Sequence, residues 1–184
     1  MFLSKGMVLT FMDNVVLLNR SLELEQLSRR LGFQETIFLE NIAWIDEKEK
    51  KKLGKAIEEA RRQKKLIVYR AFDEELLRLV LEKMAVDIVI GVEQIHAEDS
   101  VHYLRGGLDQ ILCKIAADRG VVLGFSFRDI LENKHRGKLL GRMRFNARLC
   151  KKYGVKTFMG NFSQEKMEMR SKKDLEAWKR LLEQ

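Results

Sequence analysis

Proline is absent from all 184 residues, although average usage of roughly 5% would supply about nine. Collagen-like, proline-rich and low-complexity classes are thereby excluded. Cysteine is nearly as scarce: Cys113 and Cys150 are the only two, both inside patterns that read as helices. They cannot build a disulfide framework and lack the close spacing of a zinc site, so they read as buried free thiols of a reducing compartment. No apolar run approaches the roughly 20 residues that span a bilayer. At the N-terminus, Lys5 and Asp13 bracket only a short apolar run, and no small-residue cleavage site follows. A cytoplasmic protein without a membrane partner is expected.

What is present suits one soluble domain over residues 1–184. Apolar residues make up 46% of the chain and charged residues 34%, enough to fill a core and keep a polar surface. Short, mostly apolar runs alternate with longer amphipathic ones. Strands are expected at Met7–Thr10 or Asn14–Leu18, then at Glu35–Glu40, Lys65–Arg70, Asp87–Gly91, Val121–Phe125 and Lys156–Gly160. Helices are expected at Leu22–Leu31, Asp46–Gln63, Asp73–Met84, Leu108–Arg119, Gly137–Tyr153 and Lys172–Glu183, with Gly32, Gly120 and Gly154 placed as C-caps. Strands that are apolar throughout, rather than alternating, are covered on both sides. The repeated strand–helix–strand order predicts an α/β fold of parallel βα units, as a doubly wound sheet or a TIM-like βα barrel with outer helices. A complete eight-unit barrel needs about 200 residues or more, so a barrel here would be compact or incomplete.

The common catalytic and nucleotide-binding signatures are missing. No GxGxxG follows a strand and no GxxxxGK[ST] occurs. The GFS of residues 124–126 is no nucleophile elbow, because Arg128 stands at the final glycine position. The RGG of residues 105–107 precedes a helix; it could bind an anion there, but a flexible closing loop is the simpler reading. Only three histidines exist, His96, His102 and His135, and none follows directly on a strand core. His96 and His102 share a polar loop with Glu93, Glu98 and Asp99, which could hold a metal in principle; a solvated connection is the plainer expectation. Neither a catalytic constellation nor a metal site is assigned.

The charge is more specific. Lys and Arg number 35 against 27 Asp and Glu, a net +8, which favours a polyanionic partner. Residues 1–92 are nearly balanced, with 16 basic and 15 acidic side chains. From Arg128 to Lys156, by contrast, ten basic residues face only Asp129 and Glu132. Projected at 100° per residue, Leu139, Leu140, Met143, Ala147 and Cys150 share one arc, and Lys138, Arg142, Arg144, Arg148, Lys151 and Lys152 lie opposite. A single-sign helix face is an electrostatic footprint for phosphates, whereas solvated faces usually mix signs, as Asp46–Gln63 does. Aromatics near the patch are few, which suits backbone or shape recognition of folded RNA better than single-strand stacking.

Over Gly107–Leu175 the chain resembles the archaeal ribonuclease P protein component 3 family and the related subunit of nuclear RNase P and RNase MRP. The resemblance is carried by GGLDQILCKIAADRGVVLGFSFRDIL, by the basic helix, and by YGVKTFMGNFSQEKMEMRSKKDL, in that order and spacing. The chain departs from the family pattern at Asn161-Phe162-Ser163, where small residues are usual, and at Lys172, where proline is usual. Family members also tend to continue with a further strand and helix.

The resemblance implies a barrel related to the polymerase-and-histidinol-phosphatase (PHP) phosphoesterases without their metal-binding histidines. It implies a protein subunit of ribonuclease P, the endoribonuclease that removes the 5′ leader of precursor tRNA. The active site and its magnesium would lie in the RNA, no cofactor would be bound by this chain, and a small ferredoxin-like protein would be among its partners. Candidate RNA contacts are Arg128, Arg142, Arg144, Arg148, Lys151, Lys152 and Arg170, the last matching the family's motif arginine. Two other readings stay open: a metal-dependent phosphoesterase using Glu93, His96, Asp99 and His102, and a scaffold whose basic helix meets an acidic protein.

Overall fold

Strand and helix boundaries follow directly from short local signals. The computed structural model describes residues 13–184; the candidate strand Met7–Thr10 lies outside them. Seven strands occur among the described residues: β1 Asn14–Val15, β2 Thr36–Ile37, β3 Ile42–Ile45, β4 Leu66–Arg70, β5 Ile88–Ile90, β6 Val122–Ser126 and β7 Thr157–Gly160. Between and after them run α1 Leu22–Arg30, α2 Lys50–Arg62, α3 Glu74–Lys83, α4 Gln110–Arg119, α5 Phe127–Glu132, α6 Arg136–Tyr153 and α7 Lys172–Glu183. Five helices start on an oxygen-bearing cap. Ser21, Asp73, Asp109, Ser126 and Ser171 each accept a backbone N–H three residues on, satisfying a donor the first turn would otherwise leave unpaired.

The strands β3-β4-β5-β6-β7 form one parallel sheet in sequential order, and β1 pairs with β2, also in parallel. The two sheets are stitched where the chain continues past β7. Val16 pairs with Ser163, Phe162 N–H donates to the Val15 carbonyl at 2.8 Å, and Leu17 N–H donates to the Ser163 carbonyl at 2.8 Å. The strands therefore run in the spatial order β2-β1-β7-β6-β5-β4-β3. The α/β class and the parallel βα units are as the sequence predicts, but the barrel is not closed: among the described residues no ladder pairs β2 with β3.

Side chains complete what the ladder leaves open. Alternate strand residues face inward into one apolar cluster: Val15 and Leu17, Ile42, Leu66 and Val68, Ile88 and Ile90, Val122 and Phe162 are buried there, with Ile37, Trp44 and Phe158 packed against them. All seven strands or their direct continuations contribute. The intervening residues, such as Ile67, Tyr69, Val89, Leu123 and Phe125, face the helices and form the larger outer core with Leu53, Leu77 and Met143. Burial on both faces is why these strands read as continuous apolar runs.

Two elements are not anticipated from pattern. β3, IAWI, begins only five residues after β2, with a single 3-10 turn at Leu39–Asn41 between them, and so merges with the expected strand Glu35–Glu40. The short helix α5 follows β6 without a connecting residue.

Phe162 stands where the family resemblance leads one to expect a small residue. It is 1% exposed and holds a left-handed backbone with φ 49°. Its ring meets Phe158 edge-on at 6.0 Å and Trp44 at 6.2 Å. The inner cluster is thus filled by the chain's own aromatics. Truncating a buried Phe costs the transfer free energy plus that of the residual cavity, about 3–5 kcal/mol. Phe162→Ala is expected to lower stability by about that amount in urea unfolding, with secondary structure retained in the folded baseline. A change within about 0.5 kcal/mol would show that Phe162 does not pack the inner cluster.

Candidate functional site

Because every strand is parallel, the residues that follow β4, β5, β6 and β7 gather at one end of the sheet, where βα folds place their functional groups. Arg70 is the last residue of β4; the turn Val92–Gln94 follows β5, Asp129 lies on α5 just past β6, and Asn161 directly follows β7. The Arg70 guanidinium pairs with the Asp129 carboxylate at 3.2 Å, and Gln94 Nε2 donates to the same carboxylate at 2.6 Å. Asn161 Nδ2 donates to Asn14 Oδ1 at 3.0 Å and to the Arg170 carbonyl at 3.1 Å, while its Oδ1 accepts from Arg170 N–H at 2.7 Å. A polar layer thus caps the apolar interior.

Glu93 is the anomaly of this layer. It is 1% exposed, and neither carboxylate oxygen has a hydrogen-bond partner. Burial pushes its pKa up to about 8, reinforced by the Asp129 charge and opposed by Arg70 and Arg142.

The basic helix α6 is two-sided, but not along the line the helical projection draws. Arg142 belongs to its buried side. It is 3% exposed, and its Nε donates to Asp99 Oδ1 at 2.8 Å. Its NH1 donates to the carbonyls of Glu93 at 3.0 Å and His96 at 2.6 Å. The projection assigned Arg142 to solvent because the long connection between β5 and α4 folds back over that side of the helix. Lys138 and Asn146 help to hold the same connection, Lys138 Nζ donating to the Ala97 carbonyl at 2.8 Å and Asn146 Nδ2 to the Gly106 carbonyl at 2.7 Å.

Packing also explains the two glycines of RGG. A Cβ at Gly106 would lie 2.3 Å from Asn146 Oδ1, and one at Gly107, where φ is +82°, would lie 2.2 Å from the Val92 carbonyl oxygen. These are close-approach glycines, not a hinge. The start of α4 beyond them is already capped by Asp109, which accepts from Leu112 N–H at 2.7 Å.

Four cations of α6 remain on the outer surface: Arg144, Arg148, Lys151 and Lys152 are all exposed. Arg148 donates to the Gln184 carbonyl at 3.2 Å, and the Lys152 ammonium lies 5.5 Å from the centre of the Tyr153 ring. Arg144 and Lys151 make no hydrogen bond or ion pair among the described residues, and no carboxylate pairs with any of the four.

Arg128 and Arg170 lie elsewhere, half-buried at the strand-end layer. Arg128 pairs with Glu132 and, at 3.2 Å, with Glu168. Arg170 NH1 donates to the carbonyls of Met167 and Met169, both at 3.0 Å, and its guanidinium lies 5.5 Å from the centre of the Phe127 ring. Both arginines brace the segment that follows β7. The seven candidate contacts are therefore not one patch: four share a surface, two knit the strand-end layer, and Arg142 is internal.

The loop side chains considered for a metal do not converge. His96 Nε2 meets Glu74 Oε1 at 2.8 Å, and Glu93 points into the interior. Asp99 takes Arg105 N–H at 2.9 Å and Arg142, contacts that hold its pKa below the usual carboxylate range. His102 is exposed. Among the described residues no three His, Cys, Asp or Glu side chains gather so as to hold a metal ion, and no helix is long and apolar enough to cross a membrane.

Arg70, Asp129, Gln94, Asn146 and Asn161 escaped the sequence reading. They come from different βα units and carry no shared spacing; only the position of Arg70 at a strand end could have singled one out.

No family model matches the sequence. The fold is similar to a chain in a cryo-EM structure of archaeal Ribonuclease P with mature tRNA, with a TM-score of 0.65 and 18% identity over 92% of this chain and 73% of that one. At that identity the likeness is one of fold. A crystal structure of an uncharacterized protein aligns with a TM-score of 0.42 and 12% identity over 61% of this chain and 28% of its own, too distant to carry an argument.

Two stability measurements test the site. Arg142→Met leaves Asp99 and two carbonyls without their donor and is expected to cost about 3 kcal/mol, with faster amide exchange across residues 95–107. Arg144→Met, one turn-face away, should stay within about 0.5 kcal/mol of the parent; equal effects would refute the buried and exposed assignments. Glu93 titrates in the opposite sense to a paired carboxylate. Its folded pKa near 8 exceeds the unfolded value of about 4.3, so its contribution is most favourable below that lower value. That contribution is lost as pH rises through the window up to about 8, on the order of 3 kcal/mol between pH 5 and 8. Glu93→Gln should remove that slope and stabilise the protein most at pH 8; an unchanged pH profile would show that Glu93 is not buried uncompensated.

Proposed function

We propose that this chain is a protein subunit of ribonuclease P that supports the catalytic RNA in removing the 5′ leader of precursor tRNA. The observation that carries the reading is the exposed row Arg144, Arg148, Lys151 and Lys152, four cations unpaired by any carboxylate on the outer side of a helix whose other side is locked into the core. Fold likeness to a chain of archaeal Ribonuclease P and the motif resemblance over Gly107–Leu175 support it. In this reading the scaffold is a PHP-type βα barrel that has lost its ring closure between β2 and β3, and the inner aromatics fill the space a substrate would need.

The work of such a subunit is electrostatic. Phosphates brought together in a folded RNA repel one another, and rigidly held cations offset part of that repulsion that bound divalent ions would otherwise have to supply. Arg144, Arg148, Lys151 and Lys152 contact the RNA backbone. Arg128 and Arg170 order the segment after β7 and keep only a half-exposed edge for RNA, and Arg142 holds the connection before α4. No residue of this chain acts as nucleophile, general base or metal ligand. Magnesium serves the RNA, and companion proteins, a small ferredoxin-like subunit among them, complete a cytoplasmic particle.

Reconstitution tests this reading. Precursor tRNA is mixed with ribonuclease P RNA and companion proteins with and without this chain, and 5′ cleavage is followed across magnesium concentrations. Omission is expected to slow cleavage most at low magnesium. Exchanging Arg144, Arg148 and Lys151 together for Gln should cost about tenfold or more there, with the fold intact. A chain that hydrolyses a model phosphodiester alone with Mn²⁺ or Zn²⁺, or whose omission leaves cleavage unchanged, would overturn the assignment.

A further inference from the structure

Cys113 and Cys150 stand 37 positions apart in sequence yet face each other across the contact between α4 and α6. Both are free thiols, and both are wholly buried. Their side chains hydrogen-bond to each other. Two contacts brace the helices on either side of the pair. One turn before Cys150, Asn146 Nδ2 holds the Gly106 carbonyl at 2.7 Å, just ahead of α4. Three residues after it, Tyr153 Oη donates to Gln110 Oε1 at 3.4 Å, on the first residue of α4. The two sulfurs therefore keep their register without needing a bond between them.

We infer that Cys113 and Cys150 are a redox pair that closes into an intramolecular disulfide linking α4 to α6 when the chain meets a small disulfide oxidant. The shared hydrogen bond divides the roles. It favours the thiolate of Cys113 and, with burial, raises the pKa of Cys150, so Cys113 is the attacking sulfur.

With glutathione disulfide as oxidant, the Cys113 thiolate forms a mixed disulfide and releases one glutathione. Cys150, losing its proton, then attacks the Cys113 sulfur and releases the second. Two thiols and one glutathione disulfide become one protein disulfide and two glutathiones. The link would tie two successive βα units and fasten the buried side of the helix whose outer side carries Arg144, Arg148, Lys151 and Lys152. The inference stands apart from the RNA reading, since it depends only on the contact between α4 and α6.

The test uses the full chain in two arms, native protein held in a glutathione redox buffer and protein refolded from urea in that buffer, so that access to the buried sulfurs does not limit the second arm. Intact mass and thiol titration after unfolding read the product. The expected result is a monomer lighter by two hydrogens, without titratable thiol, whose thermal midpoint lies about 5–15 °C above the reduced form. Cys113→Ser and Cys150→Ser should each abolish the light species and the shift. Glutathione adducts, linked dimers or free thiols in the refolded arm would overturn the proposal, as would an internal disulfide that lowers the midpoint.

Discussion

A parallel sheet needs apolar cover on both faces, and in this chain the inner face is covered by the sheet itself. Inward residues from β1 to β7 meet one another, with Phe162, Phe158 and Trp44 taking the middle. The arc must therefore curl until its two edges share one cluster, even though no ladder joins β2 to β3 among the described residues. Filling the interior also decides what the fold can do. The strand-end layer of Arg70, Gln94, Asp129 and Asn161 closes over packed rings and spends its polar atoms on internal partners.

Function is accordingly displaced outward, to a helix. α6 has two sides with different jobs, and Arg142 and Arg144, two residues apart, show the division. One guanidinium is buried in bonds to Asp99 and to the carbonyls of Glu93 and His96; the other is exposed. The first holds the long connection ahead of α4, the second contributes to a surface of one sign. A cation row serves as a phosphate-binding surface only if the helix beneath it does not move, and the buried side of α6 supplies that rigidity.

Much of this was legible in the sequence. Period and caps locate the helices well: Asp73, Asp109 and Ser171 start α3, α4 and α7 where expected, and Gly120 and Gly154 end α4 and α6 in left-handed conformations. The surplus of positive charge on α6 needs only counting and a helical projection. What was not legible depends on the return of distant chain. β3 is four residues of ordinary apolar sequence beside another strand. Arg142 differs from Arg144 only because residues 93–107 fold over it, and nothing within the helix encodes that. The open ring and the Glu93 carboxyl without a partner likewise arise from the meeting of separate units.

The account turns on whether the outer side of α6 meets phosphate. The most direct measurement is the affinity of the folded chain for ribonuclease P RNA as a function of salt, taken for the parent and for a variant with Arg144, Arg148, Lys151 and Lys152 all exchanged for Gln. Each lost phosphate contact should flatten the slope of log K against log salt by about 0.7–0.9, so the slope is predicted to fall in magnitude by about 2–3 while the thermal midpoint holds. A parent and variant with the same slope and affinity would contradict the account.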